Sequence, residues 1–173
     1  MRKMLVLLLS GVLFAGLSAV FAQVSDGQKE GYYEAVKLFI VDNNYDAALD
    51  KVNILIERYP MSSEFYLLRG QINVDRNDKE AALTDFDKAV ELDSKNDEIL
   101  YYRAALKFDM GDMEQAYVDT SKCVHLNANN DMCYVLRSMA RRELGDVGGA
   151  STDMERARAA KQNMIQPQNS LAK

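Results

Sequence analysis

The chain has 173 residues, 48% hydrophobic and 27% charged, with two prolines and a formal net charge of -5. This is globular material sufficient for one domain, and a composition rich in Ala, Leu, Glu, Asp and Lys favours helices over sheet. The acid excess, with no Lys/Arg stripe to neutralise phosphates, excludes a general nucleic-acid binder.

Arg2 and Lys3 precede an apolar run from Met4 to about Val20, which closes on Val20, Phe21 and Ala22. Basic start, apolar middle and slender residues two apart make a signal peptide over residues 1–22, with cleavage expected after Ala22. The competing reading is an uncleaved anchor, because the run is nearly long enough to span a bilayer. Interruptions at Gly11, Gly16 and Ser18, and the lack of a basic stop sequence afterwards, favour cleavage. Cleavage removes two positive charges, leaving 19 Lys+Arg against 26 Asp+Glu, a net charge of -7. The expectation is an acidic exported protein without a membrane span, placed in the bacterial periplasm; secretion or N-terminal anchorage are the alternatives. Residues 23–28 form a short lead.

Beyond the lead the chain repeats itself. Ala48, Ala82, Ala116 and Ala150 stand 34 residues apart. Tyr32, Tyr66, Leu100 and Tyr134 form an apolar column in the same register, and Asn43, Asn77, Gly111 and Gly145 form another. Gly and Asn tolerate the left-handed conformation that ends a helix, so this last column reads as four helix stops. The residues that follow, Asn44, Asp78, Asp112 and Asp146, are good N-caps for a second helix. Ala82, Phe86, Ala89 and Val90 then share one helical face, as do their counterparts. Each unit is a helix, a tight turn and a helix; four units span 29–62, 63–96, 97–130 and 131–163, followed by a flexible tail at 164–173.

Arg69, Arg103 and Arg137 precede small residues in units two to four, and Asp85, Asp119 and Asp153 occupy one place in the second helices. An antiparallel hairpin folded about residue 77 brings 69 and 85 to the same height. The same symmetry joins 103 to 119 and 137 to 153. An inter-helix ion pair is predicted in each of these units, whereas the first has Ala35 and Lys51 instead. In the fourth unit the face that would receive a further unit turns to Ser151, Arg158 and Ala160, which suggests a capping second helix.

Tyr66, Arg69-Gly70, Ala82 and Phe86, repeated at this interval, resemble the tetratricopeptide repeat, with tyrosine in the usual tryptophan place. Arg before Gly70, Thr120 in the place of Phe86, and Pro60 as the lone closing proline depart from the pattern. The resemblance implies an all-α, right-handed superhelical solenoid of about four helix-turn-helix repeats. It further implies that the first helices line a concave groove holding a partner peptide or helix. The inward residues would be Tyr33, Lys37, Leu67, Gln71, Tyr101, Ala105, Val135 and Met139. This lining lacks the Lys and Asn set with which some relatives clamp a C-terminal carboxylate.

Chemistry has no evident home. His125, the lone histidine, lies late on a second helix, where a solvated surface role is expected. No phosphate-binding glycine loop, metal motif or paired nucleophile and base occurs, so no catalytic residue, cofactor or metal is expected. The acidic stretches Asp42–Asp46 and Asp75–Asp78 consist of turn and cap residues. Cys123 and Cys133 leave two readings open: a disulfide, which an exported compartment permits, or two small buried thiols. The leading expectation is a non-catalytic adaptor or scaffold binding a protein partner. The alternative is a self-assembling envelope component, a homo-oligomer packed through the N-terminal face around Tyr32 and Phe39.

Overall fold

A computed structural model describes residues 26–40 and 42–165. The expected signal segment 1–22 and Gln166–Lys173 lie outside the described residues. Among the described residues eight helices follow in order: α1 (Asp26–Ile40), α2 (Tyr45–Arg58), α3 (Ser63–Asp75), α4 (Lys79–Leu92), α5 (Asp97–Asp109), α6 (Met113–Leu126), α7 (Asp131–Glu143) and α8 (Val147–Ile165). No strand occurs among the described residues. The chain falls into two compact units that divide after Leu92.

In the first unit α1 pairs with α2 and α3 with α4, while α2 packs on α3. Its core holds Val36, Phe39, Val52, Leu55, Phe65 and Ile72, with Tyr32 and Tyr45 packed against it. Phe39 is only 6% exposed, and Tyr32 lies 6.1 Å from the Phe65 ring. Phe39 thus serves the interior of the first unit, and Tyr32 packs against it while half-buried. The second unit repeats the arrangement: α5 pairs with α6, α7 with α8, α6 packs on α7, and α5 lies beside α7. Ile99, Leu100, Ala104, Ala116 and Cys123 are fully buried there.

The repeated columns account for both units. All four column alanines are at most 3% exposed, because a larger side chain there would force the paired helices apart. A Cβ at Gly70 would likewise run into the Phe86 ring. Asn43 and Asn77 take φ of 49° and 64°, and Gly111 and Gly145 take 88° and 86°, at the four expected stops. Asp78, Asp112 and Asp146 each donate their N–H back to a carbonyl five residues earlier, tying off the preceding helix. Their side chains then accept from Ala81, Gln115 and Gly149 N–H, as Asn44 accepts from Ala47. One short turn thus satisfies orphan carbonyls of one helix and orphan donors of the next. Thr120, in the place of Phe86, is buried with its hydroxyl donating to the Ala116 carbonyl at 2.7 Å, so the small polar substitute carries no unmet donor.

Two boundaries differ from the sequence reading. Helix α1 starts at Asp26, inside the expected lead 23–28, and α8 runs to Ile165, into the expected tail 164–173. The apolar Met164 and Ile165 extend a helix that no glycine or proline stops before Pro167. On α8, Ser151 and Arg158 are exposed, as a capping face requires, whereas Ala160 is 3% exposed and packs inward.

Candidate partner face and its internal supports

The first helices α1, α3, α5 and α7 carry the residues implied as groove lining. Spacings of three and four residues put Glu98, Tyr101 and Ala105 on one face of α5, and Met132, Val135 and Met139 on one face of α7. Tyr101, Ala105 and Val135 are half-buried and Met139 is 45% exposed, so this face of the second unit is apolar and reachable. The first unit differs. Lys37 is exposed, but Leu67 and Gln71 are only 7% and 8% exposed. They are therefore corrected from contact residues to packing residues. The Tyr33 side chain lies outside the described residues.

Behind these helices stand the three ion pairs. Arg69 donates from Nε and Nη2 to Asp85, the shortest contact being 2.7 Å. Arg103 grips Asp119 at 2.8 and 2.6 Å, and Arg137 grips Asp153 at 2.8 and 2.7 Å. Each is a two-pronged guanidinium–carboxylate contact, the geometry that compensates best for desolvation. A third donor, invisible to the sequence reading, completes every site one turn along the first helix. Asn73 donates to Asp85 at 3.1 Å, Lys107 to Asp119 at 3.1 Å, and Arg141 approaches Asp153 at 3.3 Å. These donors also stand 34 residues apart; their signal in the sequence is a shared capacity to donate, not a shared residue. Two of the three arginines stack on the column tyrosine as well, Arg69 over Tyr66 at 5.7 Å and Arg137 over Tyr134 at 5.5 Å. The arginines are thus spent on internal carboxylates and are not a row awaiting an anion.

A disulfide joins Cys123, late in α6, to Cys133 in the first turn of α7, with their Cα atoms 6.2 Å apart. The loop it closes is braced by side chains. Asn127 and Asn130 both donate to Asp97 at 2.9 and 2.7 Å, and Asn130 caps α7 by accepting from Cys133 N–H at 3.1 Å.

His125 is exposed. Among the described residues no group of His, Cys, Asp or Glu could hold a metal ion. Arg76 reaches across to Asp46 at 3.4 Å, so the acidic stretch at the first turn meets an internal cation. Burial, with Asp97 next to it, pushes the Glu98 carboxyl up to about 7. Burial and the charge of Asp131 raise the Tyr101 hydroxyl. No described helix is long and apolar enough to cross a membrane.

Residues 33–97 match the tetratricopeptide repeat family. No curated protein matches the chain. Among solved structures, MamA is similar over 90% of each chain, with 15% identity and a TM-score of 0.72. YrrB, described as a tetratricopeptide-repeat protein with an unusual peptide-binding site, matches over 78% of this chain and 69% of its own, at 15% identity and a TM-score of 0.65. The first tetratricopeptide domain of Spaghetti (RPAP3), solved with an HSP90 peptide, matches over 68% of this chain and 95% of its own, at 19% identity and a TM-score of 0.65. At such identities these likenesses establish the fold. Helix pairs repeated at a 34-residue interval in each unit, a family match over 33–97 and these structural likenesses together give the chain the tetratricopeptide-repeat fold.

Proposed function

We propose that this protein is an exported, non-catalytic adaptor that binds a peptide or helix of another protein on the exposed faces of its first helices. The observation that carries this is the α5–α7 face, where Tyr101, Val135 and Met139 present apolar surface while the buried charges behind them are paired internally. A methionine and a tyrosine give large, adaptable contact area, the composition partner surfaces favour. Structures of the same fold have been solved with a peptide bound, which supports the same mode here.

Export is supported by the 1–22 segment and by the disulfide, because paired cysteines persist in oxidising compartments. The bacterial periplasm fits both, as does secretion. The test is a crosslinking capture from the native envelope with the intact protein and with Tyr101→Ala/Met139→Ala. Loss of one specific crosslinked band in the variant, at unchanged melting temperature, is the expected result. Unchanged capture would remove this face as the binding surface.

A further inference from the structure

Among the described residues the buried carboxylates Asp85, Asp119 and Asp153 each hold an arginine in two-pronged contact. Glu98 and Asp131, both half-buried, hold no arginine. Both lie on the partner face of the second unit, Glu98 one turn before Tyr101 on α5 and Asp131 one turn before Val135 on α7. Asp131 is near enough to Tyr101 to bear on its hydroxyl. Neither carboxylate has a hydrogen-bond donor or cation in the described chain.

The basic residues of α5 and α7 do not supply one. Arg103 and Lys107 are held by Asp119, and Arg137 and Arg141 by Asp153. Arg142 is exposed, but it sits in the last turn of α7, about 16 Å along the helix from Asp131. A first-turn acid is ordinarily explained by the helix dipole, which holds its carboxyl low. Glu98 is instead raised by burial, so the dipole does not account for it. The sequence repeats the feature: Glu30, Glu64 and Glu98 stand 34 residues apart, each three residues ahead of a groove-column residue.

We propose that the segment received by this face is cationic and aliphatic, with lysine or arginine side chains meeting Glu98 and Asp131 while apolar side chains cover Tyr101, Val135 and Met139. This rests on the partner-face reading above and specifies the chemistry of the partner. It is the reverse of a site for an acidic C-terminal tail. A cation at Glu98 supplies the charge that its burial lacks, and the apolar floor supplies area without selecting a sequence.

The test uses three labelled peptides with identical leucine spacing whose polar positions are all Lys, all Gln or all Glu. Each is titrated by fluorescence anisotropy into the mature protein at physiological ionic strength. The Lys peptide should bind at least about tenfold more tightly than the Gln peptide, and the Glu peptide most weakly. Glu98→Gln/Asp131→Asn should erase the Lys preference and keep the Gln-peptide affinity. Asp50→Asn/Glu57→Gln, which neutralises two exposed acids of α2, should leave the preference intact. Equal affinity for the Lys and Gln peptides overturns the proposal. So does a preference that survives Glu98→Gln/Asp131→Asn, or one lost equally in the α2 control, which would mark it as an effect of net charge. Tyr101→Ala/Met139→Ala separates the two readings. Should it leave every affinity unchanged, the face itself is wrong; should it abolish binding of peptides that show no charge preference, the face stands and the cationic partner falls.

Discussion

At the scale of single residues, the three aspartates of the second helices are the costliest groups to disturb. Asp153 is 0% exposed and answers two arginines, Asp119 answers Arg103 and Lys107, and Asp85 answers Arg69 and the neutral Asn73. Removing one carboxylate strands buried cations, which costs about 3–5 kcal/mol when burial is complete. Asp153→Ala is therefore expected to be the most destabilising and Asp85→Ala the least, because the Arg69 side chain keeps 28% of its exposure and also donates to Asn53. Urea unfolding of the three variants checks the order. The pairs themselves were legible in the sequence, since residues equidistant from a turn meet in an antiparallel hairpin. The third donor was not, because Asn73, Lys107 and Arg141 share no residue type and only their position on the folded hairpin unites them.

Glu98 yields a second residue-scale prediction. Its folded-state carboxyl titrates at about 7 against an ordinary 4.5, so between those values the native state keeps a proton that the unfolded state has lost. Stability contributed by this group is full below about pH 4.5, falls as pH rises, and is lost above about 7. The drop is at most about 3 kcal/mol. Glu98→Gln should flatten the pH dependence of the unfolding free energy over that window, and a slope unchanged by the substitution would contradict the assignment.

At the scale of elements, the turns were the most readable feature of the chain. A residue tolerant of positive φ followed by a side chain able to cap is a local signal, and Asn43-Asn44, Asn77-Asp78, Gly111-Asp112 and Gly145-Asp146 all act on it. The connections between repeats were less readable. Asn96 and Asn130 cap α5 and α7, yet Ser62 makes no such side-chain bond for α3, so no single pattern announces those starts. The disulfide depended on how α6 and α7 present their ends, which spacing alone left open. Closing a loop between residues 10 apart stabilises by about 3 kcal/mol through the unfolded chain. Cys123→Ser/Cys133→Ser should lose roughly that amount. Amide exchange should quicken first in α6 and α7 of the second unit, because Asn127 and Asn130 alone then brace the loop.

At the scale of the whole molecule, the proposed export carries a prediction of its own. Protein recovered from the envelope should begin at Gln23 and show no free thiol when unfolded without reductant, both read by intact-mass measurement with and without alkylation. A mass retaining residues 1–22 would mark an uncleaved anchor instead.

The 34-residue period determined the repeat fold by itself. Burying one face of every hairpin requires small residues at each crossing and a stop and cap at each turn, and such needs recur in the sequence as columns. Only the tertiary structure decided which first-helix residues remain available to a partner. Leu67 and Tyr101 occupy the same column, yet Leu67 is 7% exposed and Tyr101 is half-buried. A column fixes the direction in which a side chain leaves its helix; whether water or protein waits there depends on the neighbours that packing brings.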